Sequence, residues 1–296
     1  MIRAKIILLI LVLSVSFAQV TSEHLYYGAS SLGMAGSDVA CQGGAWAIFN
    51  NPAGLAGQER NSVVLGSESL YGLSYFKHTL AGFQVGLPFL GTIGISVEDF
   101  STDYKSRSLA HEIATGFYQG ITLQADRNST LFFGYGIRLQ MVDYGQSAGP
   151  SGDGSDGRDL GSHQAVGLDA GLLASLRERI RFGAKVTNIN HPQLGEANAA
   201  VDLPRRIQIG MAYSPYNLVW TTAALSRSME YPTQIHAGMD YEILPSLHLR
   251  AGVQSNPNRF GAGFSLKWEI LHIDYGFLTH PILPLTQQLS LEIQWL

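Results

Sequence analysis

From about residue 62 onward, apolar and polar positions alternate with period two, the spacing that sends successive strand side chains to opposite faces. Over 286–295, Leu289, Leu291, Ile293 and Trp295 share one face, and Gln288, Ser290, Glu292 and Gln294 share the other. Segment 206–213 sets Ile207, Ile209, Met211 and Tyr213 against Arg206, Gln208, Gly210 and Ala212. Segment 233–243 sets Ile235, Ala237, Met239, Tyr241 and Ile243 against Gln234, His236, Gly238, Asp240 and Glu242. Fourteen strands are predicted, near 62–72, 74–87, 91–100, 110–125, 131–143, 164–175, 180–190, 206–214, 217–226, 232–243, 247–255, 259–269, 270–279 and 286–295. An even number is what bacterial single-chain barrels require.

The connections carry a second signal. Links at Pro88–Leu90, Asp126–Thr130, Arg177–Arg179, Pro215–Tyr216 and Pro245–Ser246 are tight, whereas Ser101–Leu109, Gly145–His163 and His191–Arg205 are long. Outer-membrane barrels have short periplasmic turns and longer external loops, so both termini are expected on the periplasmic side.

A soluble periplasmic β-sandwich or small barrel would also alternate, with its apolar face turned inward. Fourteen strands would leave a lumen too wide for apolar side chains to fill. The polar face also carries Arg138, Asp169, Lys185, His236, Asp240, Arg250, Lys267 and Asp274, together with many glycines, as a wet lumen would. The expected fold is an all-β, transmembrane antiparallel barrel of about fourteen strands. Arg replacing Ile209 or Leu291 should then cost about 2–4 kcal/mol at mid-bilayer, and Arg replacing Gln208 or Ser290 should cost little.

The N-terminal part differs. Arg3 and Lys5, the apolar run Ile6–Val15 and the small-x-small stretch Ser16-Phe17-Ala18 read as a secretory leader over 1–18, cleaved before Gln19. The run is shorter than the roughly 20 residues a membrane-spanning helix needs. Residues 19–60 do not alternate; their Gly, Ala and Pro predict a short irregular plug, or hatch, and the barrel then occupies 61–296. Trp46, Asn50, Asn51, Pro52 and Gly54 are the expected plug or gate residues. The Asn side chains would satisfy irregular backbone, Pro52 would fix its own φ, and Gly54 would supply a positive φ where the chain enters the first strand.

Composition narrows the function classes. Charged residues are 14% of the chain, below the roughly 25% usual for soluble domains. The net charge of −4 supplies no basic field for nucleic acid. Cys41, the single cysteine, cannot form an internal disulfide.

The stretch Gly28-Ala29-Ser30-Ser31-Leu32-Gly33-Met34-Ala35-Gly36-Ser37-Asp38-Val39-Ala40, followed by Ile48-Phe49-Asn50-Asn51-Pro52-Ala53-Gly54-Leu55-Ala56, resembles the N-terminal signature of the FadL-like PorV/PorQ outer-membrane proteins. In that family an LGMGG stretch is followed by a short helix and then NPA-G-L; here Ala35 stands at a usual glycine. Leu203–Tyr213 and Ile273–Phe277 are similar to the family as well. The resemblance implies a bacterial outer-membrane barrel of fourteen strands with the N-terminal segment folded into its lumen. It further implies passage of hydrophobic small molecules, or service as a PorV/PorQ-type component of type IX protein secretion. The expected partners are outer-membrane lipid with either hydrophobic small molecules or secretion-system proteins, and no nucleic acid. A non-conducting structural or interaction barrel is the alternative.

No enzymatic chemistry, cofactor or metal is expected. The glycines at 33–44 follow no strand and precede no Lys-Ser/Thr pair, unlike a phosphate loop. The acidic stretch Asp153–Asp159 lacks the bidentate Glu of a calcium loop. An outer-membrane hydrolase would draw on His111, His163 or His280, but none lies in a nucleophile motif.

Overall fold

The computed structural model describes residues 26–295 apart from 42–43, 59, 105–106, 148, 153–154, 196–199 and 230. The leader expected over 1–18 lies outside the described residues. The strands are β1 (Asn61–Ser69), β2 (Phe76–Leu87), β3 (Gly91–Tyr104), β4 (Arg107–Ala125), β5 (Ser129–Asp143), β6 (Ser162–Leu176), β7 (Ile180–Thr187), β8 (Gln193–Leu194) and β9 (Val201–Asp202). They continue with β10 (Arg206–Tyr216), β11 (Val219–Ser228), β12 (Gln234–Leu244), β13 (Leu247–Gln254), β14 (Arg259–Trp268), β15 (Leu271–Leu278) and β16 (Thr286–Trp295). Fourteen of them close an antiparallel barrel in which β1 pairs with both β2 and β16, and β8 and β9 form a separate hairpin.

The burial is that of a barrel in lipid. In β1 the inward Ser62, Val64, Gly66 and Glu68 are buried, and in β10 the outward Ile207, Ile209, Met211 and Tyr213 are about half exposed. The same register repeats around the wall, so leucines, isoleucines and aromatics form an outer apolar belt while Gln, Glu, Ser and His point inward. An aqueous solvent would disfavour this arrangement; a bilayer favours it, because the closed ladders leave no unpaired backbone edge in hydrocarbon.

One end of the barrel carries tight turns at 88–90, 126–128, 177–179, 217–218, 245–246 and 269–270, and the other carries the long connections 144–161 and 188–205. The link expected over Ser101–Leu109 is not long. β3 and β4 run on until only 105–106 separate them, because the polar residues there keep pairing at the rim. The β8–β9 hairpin folds back over the loop end, packing Leu194 and Leu203 on Val142 and Ala165.

The described residues of 26–58 lie inside the barrel as the hatch. They form α1 (Ala29–Gly33), α2 (Ala47–Asn50) and a 3-10 turn over Pro52–Gly57. Neither helix is long enough to be stable alone, so the wall must hold them. The wall provides glycine seats for this purpose. A Cβ at Gly134 would overlap the Pro52 carbonyl carbon, one at Gly171 the Asn51 amide oxygen, one at Gly183 the Val39 carbonyl and one at Gly276 the Ala29 carbonyl. These four inward glycines therefore leave room for hatch atoms at the wall.

Candidate functional site

The hatch crosses the lumen and is hydrogen-bonded to β6, β7, β10, β12 and β16 of the wall. Ala29 N–H donates to Ser290 Oγ at 2.8 Å and Ala45 N–H to Glu292 Oε1 at 3.1 Å. Gln208 Nε2 donates to the Gly36 carbonyl at 2.8 Å, and Lys185 Nζ to the Phe49 carbonyl at 2.5 Å. His236 Nδ1 donates to the Ala35 carbonyl at 2.7 Å, and its Nε2 meets Ser226 Oγ at 2.7 Å, where the hydroxyl is the donor. Gln208 and Ser290 are thus brackets for the hatch. The larger side chain of Arg at either position has to displace hatch backbone, so its effect is expected on the hatch and not on the barrel.

Asn51 is the best-connected of the expected gate residues. Its Oδ1 accepts from Ala53 N–H at 3.1 Å, capping the 3-10 turn, while its Nδ2 donates to the Val39 carbonyl at 2.8 Å and the Leu172 carbonyl at 3.2 Å. Pro52 follows at the first turn position, where a missing N–H costs nothing. Asn50 Nδ2 donates to the Tyr27 carbonyl at 3.1 Å. Trp46 packs against Phe49 with ring centroids 5.7 Å apart, and its Nε1 has no hydrogen-bond partner among the described residues. Gly54 does not have the positive φ expected of it. It sits inside the 3-10 turn, where a Cβ would lie 3.0 Å from the Ala47 Cβ, so close approach explains it.

The expected lumen residues all face inward, in two groups. Toward the loop end, Arg138 Nη2 donates to Asn188 Oδ1 at 3.0 Å, and the Asn188 N–H donates to Asp169 Oδ1 at 2.9 Å. Toward the turn end, Arg250 bridges Asp240 at 2.7 Å and Asp274 at 3.2 Å, and Lys267 shares their cavity. Two sets of residues escaped the sequence reading. His78 lies buried between Glu68 at 2.5 Å and Glu98 at 3.0 Å, each contributed by a different strand. Asp38 is the one carboxylate among the described hatch residues, and no pattern marks it. Burial lifts its carboxyl above the usual carboxylate range, against the opposing pull of Lys185 and Arg250, and burial pushes the Cys41 thiol up to about 12.

The hatch leaves a cavity on each of its sides. The one toward the loop end has about 30 Å³ and is bounded by Glu98, Arg138, Asp169, Lys185 and Arg206. The one toward the turn end has about 360 Å³ and is bounded by Asp240, His248, Arg250, Lys267, His272, Asp274 and Glu292. The apolar side of the hatch is filled: Trp46, Ile48, Phe49 and Leu55 pack with Val64, Leu80 and Tyr118 of the wall in one buried cluster.

The hydrolase candidates do not assemble. His111 Nε2 pairs with Asp99 at 2.8 Å on the outer face, and no hydroxyl bonds its ring among the described residues. His163 lies tilted against Tyr144 with ring centroids 6.1 Å apart, and the His280 ring accepts from Leu283 N–H at 3.0 Å. Asp156 is committed to its own loop, accepting from the Ser151 hydroxyl at 2.5 Å; 153–154 lie outside the described residues. No group of three or more His, Cys, Asp or Glu is arranged for a metal among the described residues. Likewise, none of their helices is long and apolar enough to cross a membrane.

No family model matches the sequence, and no curated protein matches it either. Solved structures do. The Pseudomonas putida toluene transporter TodX superposes with a TM-score of 0.60 at 14% identity, over 91% of this chain and 97% of that one. The Ralstonia pickettii toluene transporter TbuX gives 0.57 at 12% identity, over 92% and 98%. A Pseudomonas aeruginosa FadL homologue gives 0.56 at 13% identity, over 90% and 98%. This chain therefore has the fourteen-stranded barrel fold of FadL-like outer-membrane proteins.

Proposed function

We propose that this chain is an exported outer-membrane transport barrel that passes small hydrophobic molecules when its hatch moves. The observation that carries this reading is the apolar cluster shared by hatch and wall. Trp46, Ile48 and Phe49 cover Val64, Leu80 and Tyr118, so withdrawing the hatch uncovers an apolar wall on which a small hydrocarbon takes the place of the hatch rings. The neighbours named as toluene transporters support that cargo class. The leader over 1–18 belongs to the same proposal, and N-terminal sequencing of the exported protein should start near Gln19.

A reversible lock tests it. Asn51→Cys with Gly171→Cys, in a Cys41→Ser background, joins two positions already in contact. In vesicles, toluene uptake is expected with the pair reduced and lost with it oxidised. Uptake indifferent to the lock removes the hatch from the mechanism, and no uptake by a folded, reduced barrel overturns the transport reading.

A PorV/PorQ-type role in type IX secretion is the second reading. The signature over Leu32–Gly36 and Asn51–Leu55 favours it, as do the glycine seats that hold the hatch in place. Under that reading the barrel conducts nothing, and deleting its gene abolishes surface delivery of secreted proteins.

A further inference from the structure

The two lumen cavities have different walls but share two residues of the hatch, Asp38 and Asn50. The smaller reaches toward the loop end, where Arg206 begins β10; the larger reaches toward the turn end, where His248 and Lys267 lie two residues from their turns. Asp38 and Asn50 thus form the partition between the two. Its frame is fixed from both sides: Asn50 by the Tyr27 carbonyl, the neighbouring Phe49 by Lys185, and the Val39 carbonyl next to Asp38 by Asn51. Both cavities are bordered by charged side chains of both signs, beside Tyr27, Phe49 and Tyr118 in the smaller and Met34 and Trp46 in the larger, so a solute crossing here passes between charged groups and meets the hatch carboxylate at the partition.

We propose that a polar path runs through the barrel beside the apolar cluster, with Asp38 and Asn50 as its filter, and that it admits small cations and uncharged polar solutes while rejecting anions. This rests on the reading of the chain as a transport barrel, but it assigns a second cargo class and a different set of residues. The physical basis is that an ionised carboxylate in a site of low dielectric attracts counter-ions and repels co-ions far more strongly than it would in water, and that Asp38 adds to Glu98, Asp169, Asp240, Asp274 and Glu292, which face Arg138, Lys185, Arg206, Arg250 and Lys267 along the two cavities.

Planar-bilayer measurements on the full-length mature protein in a KCl gradient test the proposal, with heat-modifiable gel migration as the check on folding. The reversal potential of the wild type should report potassium preference. Asp38→Asn should bring the potassium-to-chloride ratio close to unity, and Asp38→Lys should invert it. Asp38→Ala with Asn50→Ala should merge the cavities and raise conductance several-fold. Asp38→Asn keeps the side-chain shape, so it still tests the filter should the lysine variant fail to fold. A folded Asp38→Asn barrel with unchanged ion preference, or a folded double variant with unchanged conductance, overturns the proposal. Should toluene uptake persist in those variants, the filter fails while the transport reading stands. A wild-type barrel that moves neither ions nor toluene ends both.

Discussion

In the barrel wall, every strand finds its backbone partners in the strands beside it, and the side chains on each face are left free to match their surroundings. In the described part of the hatch, the backbone has two helices of five and four residues and one 3-10 turn, and further backbone groups are met partly by the hatch itself and partly by side chains sent inward from the wall. Ser290, Glu292, Lys185, Gln208 and His236 all serve hatch backbone in this way. The two regions therefore have separate failure modes. A fault on the outer face damages the barrel, whereas a fault on the inner face releases the hatch and leaves the barrel closed.

The largest expected effect sharpens that contrast on neighbouring residues of one strand. Ile209 is 50% exposed on the outer face of β10, and Gln208 points inward to the Gly36 carbonyl. Ile209→Arg should cost about 2–4 kcal/mol of barrel stability at mid-bilayer. Gln208→Arg should leave that stability almost unchanged but make the hatch susceptible to added protease. Unfolding in lipid, read beside proteolysis of the hatch, checks both; equal losses of barrel stability would break the comparison.

Glycine seating gives the next effect. Gly134→Ala puts a methyl group where the Pro52 carbonyl carbon and the Ala53 nitrogen stand, and because both are backbone, the hatch has to shift. A cost of roughly 3 kcal/mol to hatch docking is expected, the upper end for overpacking. Gly86→Ala is the control, since a Cβ there meets nothing within 4 Å. Protease protection of the hatch should fall with the first variant and hold with the second.

Asn51→Ala comes third. It removes the cap of the 3-10 turn and leaves the Val39 and Leu172 carbonyls without the amide donor, for a loss of about 2 kcal/mol, since unmet buried groups each cost on the order of 1–3 kcal/mol. Hydrogen exchange at Ala53 should accelerate while exchange in β6 stays slow.

The same division decides what could be read from the chain. Fourteen strands were legible because lipid on one side and a polar interior on the other force opposite side-chain chemistry at every second residue, as at Ile207 and Gln208. Glu68, His78 and Glu98 were not legible as a group, because three separate strands bring them together and each on its own is one more polar residue of an inward face. In the hatch, Asn51 and Pro52 were legible because their chemistry is local. Asp38 was not, since its importance comes from two cavities formed by strands far away in sequence. The inward glycines were visible as a count but not as a seat, because the backbone they admit is not their neighbour in the chain.

The smallest expected effect concerns Ala35, which stands at a usual glycine of the signature that this stretch resembles. Its φ is +52°, in the left-handed region where an L side chain is strained by roughly 1–2 kcal/mol. The carbonyl of this residue accepts from His236, and its methyl group is fully buried beside Tyr26, Leu32 and Leu278. Ala35→Gly relieves the strain, yet it gives up the burial of one methyl, about 0.8 kcal/mol. Gly also adds chain freedom to the unfolded state, at about 0.4–1 kcal/mol. These contributions nearly cancel, so stability should change by less than about 0.5 kcal/mol, with hatch protection intact. Ala35→Val keeps an apolar group but places a β-branched residue at positive φ in a filled site, and hatch protection should drop while the barrel stays folded. A gain well above 1 kcal/mol for the glycine variant would show that the methyl contributes no packing, and that the hatch is held by its hydrogen bonds to the wall alone.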